Sequence, residues 1–168
     1  MSLSRRALLG TAAATVPLLH ARAQRPSIRI GVLTDLSGLY QDIVGPLLVE
    51  SVRLAVTDSG IVARGTDVEI VVADHQNKPD IGSNITREWF DRGGVDVILD
   101  GGSSAVALAV SGVAKDKNKV LLATGAASSD LSGKSCNANC IHWSYDTYML
   151  SKSTGAAMVK AGGDKWFF

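Results

Sequence analysis

Three short stretches of this 168-residue chain gather the residue types that can hold a small anion or zwitterion. Gly101-Gly102-Ser103-Ser104 joins two glycines, which let the backbone turn tightly and come close to a ligand, to two hydroxyls able to cap a helix. The helix-patterned AVALAVSGVAKDK follows at once, so its first amides would stand beside those serines and favour a negative group. Thr124-Gly125-Ala126-Ala127-Ser128-Ser129-Asp130 and Asp35-Leu36-Ser37-Gly38-Leu39-Tyr40-Gln41-Asp42 repeat the theme of small, polar and hydroxyl-bearing residues. That is binding chemistry.

Reaction chemistry finds less support. Gly102-Ser103-Ser104-Ala105-Val106 lacks the second glycine of a G-x-S-x-G nucleophile elbow. After the first 23 residues only His75 and His142 are candidate bases, and neither falls in a triad order; His75 reads as an exposed residue of a loop. Neither G-x-x-x-x-G-K-[ST] nor G-x-G-x-x-G occurs, which disfavours nucleotides. No catalytic residue and no cofactor is expected. Cys136 and Cys140 enclose Asn137-Ala138-Asn139, with His142 nearby. In an oxidising compartment a small disulfide loop is one reading, provided the turn brings the Cα atoms within about 7 Å. Free thiols are another; a zinc site lacks an evident fourth ligand and a standard spacing.

The elements that must position these stretches follow from periodicity. SIRIGVLT (Ser27–Thr34), DVEIVVA (Asp67–Ala73), the run from Val95 to Leu99, VLLA (Val120–Ala123) and CIHWS (Cys140–Ser144) read as strands, and Lys165–Phe168 as the opening of a sixth. Between them lie helical patterns. Pro46 suits the first turn of one that Gly60 stops, with Leu48, Val52 and Ala55-Val56 inward. Pro79 starts the next, with Ile81, Ile85 and Trp89 on one face and Gly93-Gly94 at its end. A small-residue helix spans Tyr148 to Ala161. Alternating strands and helices predict a doubly wound parallel α/β sheet with right-handed crossovers. In strand order 2-1-3-4-5 the reversal lies between strands one and three, where ligands bind beyond the carboxyl ends. All three polar stretches leave those ends.

Residues 1–23 stand apart. Arg5-Arg6, the apolar run ALLGTAAATVPLL and Ala21-Arg22-Ala23 make a secretory signal with cleavage after Ala23 and a twin-arginine character. The run falls short of the roughly 20 apolar residues of a spanning helix, so no stable membrane span is expected. Removing it takes three arginines and no acid from a chain of 17 basic and 16 acidic residues, leaving a slightly acidic mature part. Without a basic run, nucleic acid is not an expected partner.

SIRIGVLTDLSGLYQDIVGP, ADHQNKPDIGSNITREWFD, VDVILDGGSSAVALAV and NKVLLATGAASSDLSG, in that order, resemble the periplasmic solute-binding proteins of ABC transporters. The nearest group is the branched-chain amino acid (leucine/isoleucine/valine-type) binding family. The resemblance implies a two-lobed clamshell that closes on a solute (an amino acid, an amide, or an aromatic or aliphatic carboxylic acid) and hands it to an inner-membrane permease. It assigns ligand contacts to Ser103 or Ser104 after strand three, to the carbonyl of Ala126 and the hydroxyl of Ser128 after strand four, and to Tyr40 and Gln41 after strand one. Trp143, Ser144, Tyr145 and Asp146 fall where such a chain first crosses to its second lobe, the hinge. The expected division is therefore a signal at 1–23, a ligand-binding lobe at 24–144 and the start of a second lobe at 145–168. Family members run to more than twice this length, so the chain reads as truncated in mid-strand and weak in binding alone. A sensing module of the same fold, feeding a signalling partner, is the alternative role.

Overall fold

Apolar residues on both faces of Ser27–Thr34 place that segment, β1, in the middle of a parallel sheet. The computed structural model describes residues 25–163, 165 and 166; the expected signal and its cleavage site lie outside them. Beside β1 run β2 (Asp67–Asp74) and β3 (Val97–Asp100), followed by β4 (Val120–Ala123) and β5 (Cys140–His142). All neighbours are parallel, in the order β2-β1-β3-β4-β5, as the alternation predicts. Ile30 to Leu33 of β1 pair with Val97 to Asp100, so the reversal of strand order falls between β1 and β3.

The pleat divides the apolar residues. Leu33, Ile98 and Leu121 face α2 (Pro79–Asp91) and α3 (Ser104–Asp116), packing with Val95, Val106, Val110 and Ala114 into the main core. Ile85, Trp89 and Phe90 close it from α2. Val32, Ile30 and Leu99 face the other way, onto Val49 and Val52 of α1 (Gln41–Ser59). Gly60 ends α1 in the left-handed conformation (φ 63°), the stop its type predicts.

Helix α1 starts five residues ahead of its expected proline. The buried Asp35 carboxylate accepts the amides of Gly38 (2.6 Å) and Tyr40 (2.9 Å), closing the loop into a turn that launches the helix at Gln41. Pro46 therefore lies inside α1. Its ring projects to solvent, and the loss is one hydrogen bond to the Asp42 carbonyl.

Beyond β5 the chain is helical from Thr147 to Lys160: α4 (Thr147–Leu150), a π-type turn (Ser151–Gly155) and α5 (Ala156–Lys160). Asp146 caps it, accepting the Met149 amide at 2.7 Å. The sixth strand does not begin at Lys165 or Trp166, and Phe167 and Phe168 lie outside the described residues. Trp166 instead lines a groove with Leu150 and Val159 of the helical run. Among the described residues no helix is long and apolar enough to cross a membrane.

Candidate functional site

The carboxyl edge of the sheet collects the polar stretches because each leaves the end of a parallel strand. Gly102 takes φ 155°, which a side chain would resist, and a Cβ there would stand 2.9 Å from Val44 of α1. The loop after β3 thus passes close against the first turns of the helix that Tyr40 and Gln41 open.

Two loops are tied directly. The Ser104 hydroxyl oxygen, on the first residue of α3, accepts the Ser128 amide at 3.1 Å. Among the described residues its own proton has no acceptor, and with the first amides of α3 it makes a set of donors suited to a carboxylate. The Ser128 hydroxyl caps the short 3₁₀ turn Ser129–Leu131, accepting the Asp130 amide at 3.3 Å. Thr124 straps the base of the same loop to β3, donating its amide and its hydroxyl to the Asp100 carbonyl at 2.9 and 3.1 Å.

Ser103 is used differently. It occupies the N-cap position of α3 yet caps nothing; it is buried and donates its hydroxyl to the Asn77 side-chain oxygen at 2.6 Å. Ala126 is buried too, and its carbonyl accepts from His142 Nε2 at 2.7 Å. A carbonyl can only accept, so the imidazole proton is on Nε2 and Nδ1 accepts the Ser132 hydroxyl, also at 2.7 Å. This hydroxyl–imidazole pair braces the β4 loop. Both ring nitrogens are engaged in these contacts.

Tyr40 is half-buried and Gln41 exposed at the start of α1; among the described residues no hydrogen bond joins either to Ser104 or Ser128. Asp74, at the end of β2, binds this loop: it accepts the Ser37 hydroxyl (2.6 Å) and the Leu36 amide (2.9 Å). Burial raises the Asp74 carboxyl, but Ser37 and the amides of Leu36 and Gln76 outweigh it and hold the group below its usual value.

The predicted hinge leaves the edge of the sheet. Trp143 donates its amide to the Ala123 carbonyl and Thr147 returns to the Ala127 carbonyl, both at 2.9 Å. Trp143 and Tyr145 are exposed, and Ser144 and Asp146 are half-buried.

One expectation needs correction, and one open alternative takes its free-thiol form. His75 is fully buried, because left-handed turns at Gln76 and Asn77 (φ 53° and 55°) fold its ring under the loop. Cys136 and Cys140 are free thiols: Cys136 is exposed, while Cys140 sits on β5 with its sulfur turned inward to Ser111. Sequence reasoning missed Asp35, Asn77 and His142 as braces, although a polar residue at or within three residues of a strand's carboxyl end is their shared signal.

An α/β lobe with helix N-termini and hydroxyl loops gathered at the strand reversal defines a ligand-binding class of protein. The sequence profile described as "Periplasmic binding protein" matches residues 27–168. The chain belongs to that family. It is similar to a periplasmic binding protein from Burkholderia mallei, with 46% identity over 84% of this chain and 38% of that one, TM-score 0.79. A branched chain amino acid ABC transporter periplasmic ligand-binding protein from Burkholderia xenovorans LB400 shares 41% identity over 80% of this chain and 36% of its own, TM-score 0.75. The fold also matches an R. palustris ABC transporter solute binding protein in complex with benzoate, at 24% identity and TM-score 0.74, over 81% of this chain and 38% of that one. The chain thus spans little more than a third of these relatives, which are solute-binding proteins and not enzymes. Among curated proteins none matches.

Proposed function

We propose that residues 24–144 form one ligand-facing lobe of an exported solute-binding protein that serves an ABC importer. The second lobe begins at residue 145, and the crossing at Trp143–Asp146 is the hinge. The solute is an amino acid or a related small amide or carboxylic acid, aromatic acids included. The observation that carries this reading is the Ser104–Ser128 tie between the loops after β3 and β4, beside the strand reversal. It presents a hydroxyl proton and the first amides of α3 to one point, where a carboxylate would be held. The carboxylate contacts are Ser104 and Ser128, with Tyr40 and Gln41 toward the solute's side chain. Ser103 and the Ala126 carbonyl then act from behind, through Asn77 and His142. The branched-chain amino acid relative at 41% identity supports the ligand class. The signal at residues 1–23 directs the protein to the periplasm, where a permease would receive the solute.

A thermal-shift screen of the exported protein against branched-chain amino acids, amides and aromatic acids tests the reading. At least one compound raises Tm, and Ser128→Ala weakens its binding by about 1–3 kcal/mol. No stabilisation by any member of the panel overturns it.

A further inference from the structure

Beneath the loops of the site lies a buried acid–base pair that the binding contacts do not use. His75, past the end of β2, and Asp100, the last residue of β3, are both fully buried, with His75 Nε2 3.5 Å from Asp100 Oδ1. The protonation of the ring follows from its other side. The Asn77 amide donates to His75 Nδ1 at 2.9 Å, so Nδ1 carries no proton and Nε2 does. The Nε2 proton therefore points at a carboxylate at the outer limit of hydrogen-bond reach, and among the described residues Nε2 and both Asp100 oxygens lack a well-formed partner.

The same Asn77 that fixes the ring holds the site. Its side-chain oxygen accepts the Ser103 hydroxyl at 2.6 Å. Ser103 immediately precedes Ser104, which accepts the Ser128 amide. A line of contacts thus runs from the end of β3, through the β2–α2 loop, back to the N-terminus of α3 and across to the loop after β4.

We propose that Asp100, His75 and Asn77 are positioning residues of the solute site: a buried relay that sets where Ser103, and with it the N-terminus of α3, stands. This rests on the solute-binding reading above.

The relay is proton-dependent for a local reason. Burial pushes the Asp100 carboxyl up, opposed only in part by the nearby His75 ring and the Gly101 amide. Ionised, Asp100 polarises the ring through the Nε2 proton and makes Nδ1 a stronger acceptor for the Asn77 amide; protonated, it loses that effect. Few other charges intervene. Asp74 adjoins His75 and is held by Ser37 and two amides, and the Cys140 thiol, raised by burial, faces Asp100 from β5. Asp35 is taken by Gly38 and Tyr40, and Lys78 reaches Gln76. From α2, Gly82 lies beside the His75 Cβ, while Asp80, Arg87, Glu88 and Asp91 are exposed. The ionisable residues of α3, Lys115 and Asp116, stand at its far end.

The sign for stability follows. A carboxyl raised in the folded state favours folding most below its unfolded value, and that contribution is lost as pH rises through the folded value. Asp100→Asn removes the loss, so the variant melts at or above the wild-type temperature on the alkaline side.

The experiment is nitrogen and amide NMR of the full chain without solute, followed by binding of two probes, leucine and benzoate. His75 shows the Nε2–H tautomer, and the amides of Asn77, Ser103 and Ser104 titrate together. That shared titration vanishes in Asp100→Asn. In Asn77→Ala, and in Ser103→Ala at the other end of the same bond, Ser104 no longer follows it. Whichever probe binds the wild type binds Asn77→Ala about tenfold more weakly, the scale of one lost hydrogen bond. An Nδ1–H tautomer, a titration that survives Asp100→Asn, or undiminished affinity in Asn77→Ala overturns the proposal. If neither probe binds although the solute-free coupling is present, the relay stands and the loss falls on the solute-binding reading.

Discussion

The two faces of the sheet are built to different depths. Toward α2 and α3, Leu33, Ile98, Leu121, Val106 and Val110 are all fully buried, and two helices packed on each other seal them. Toward α1 a single helix covers Val32 with its Val49 and Val52, and beside it an apolar groove of about 450 Å³ stays open, lined by Ile28, Ile30, Leu48, Val56 and Leu99. The strands contribute equally apolar residues to both faces; the helices above them do not. Burial, and with it the stability each side chain contributes, is set by how completely a second layer covers the strand. The site draws on this asymmetry, since α3 is anchored in the deep face and carries Ser103 and Ser104 at its mouth, whereas α1 brings Tyr40 from the shallow one.

The largest expected effect tests that contrast directly. Ile98→Ala opens a hole in a sealed core and costs about 3 kcal/mol, whereas Val52→Ala, on the half-covered face, costs about 1 kcal/mol. Urea unfolding of the full chain measures both as shifts in midpoint. Equal losses would erase the distinction between the faces.

The same contrast explains what the sequence makes legible. Strand limits and the order 2-1-3-4-5 follow from alternation and from the strand–helix rhythm, which are local, and the strands at Ser27–Thr34 and Val120–Ala123 fall where the pattern puts them. The meeting of loops after β1, β3 and β4 at one edge follows from that order. What the pattern does not carry is the direction of a side chain whose partner is distant in the chain. Ser103 reads as a cap and turns instead to Asn77, 26 residues away, and His75 reads as a loop residue but is drawn under by its turn. Pro46 misleads for a related reason, since the helix start is decided by the Asp35 carboxylate, a feature with no helical period.

A middle-sized effect probes the shallow face at its rim. Gly60 ends α1 at φ 63°, where an L side chain is strained, so Gly60→Ala costs about 1 kcal/mol while Gly60→Asn costs less. Thermal unfolding distinguishes them. An Ala variant as stable as the wild type would mean that α1 can end elsewhere at no cost, and that its hold on the sheet does not depend on this turn.

The smallest effect lies past β5, where the contrast becomes one between a packed sheet and a segment that buries little. Trp143 is 79% exposed, and Tyr148, Met149 and Val159 beyond it are also open. What attaches the segment is backbone: the Trp143 and Thr147 amides on the carbonyls of Ala123 and Ala127. Removing the Trp143 indole leaves both bonds, so Trp143→Ser changes the unfolding free energy by no more than about 0.5 kcal/mol. A hinge must combine these properties, firm attachment at its root and side chains free of the core, because side chains locked into the lobe would resist its opening. A loss above about 1 kcal/mol in Trp143→Ser would show that the indole is part of the lobe's packing. The hinge proposed above would then have to be placed beyond Asp146, in the helical run that the Asp146 carboxylate caps.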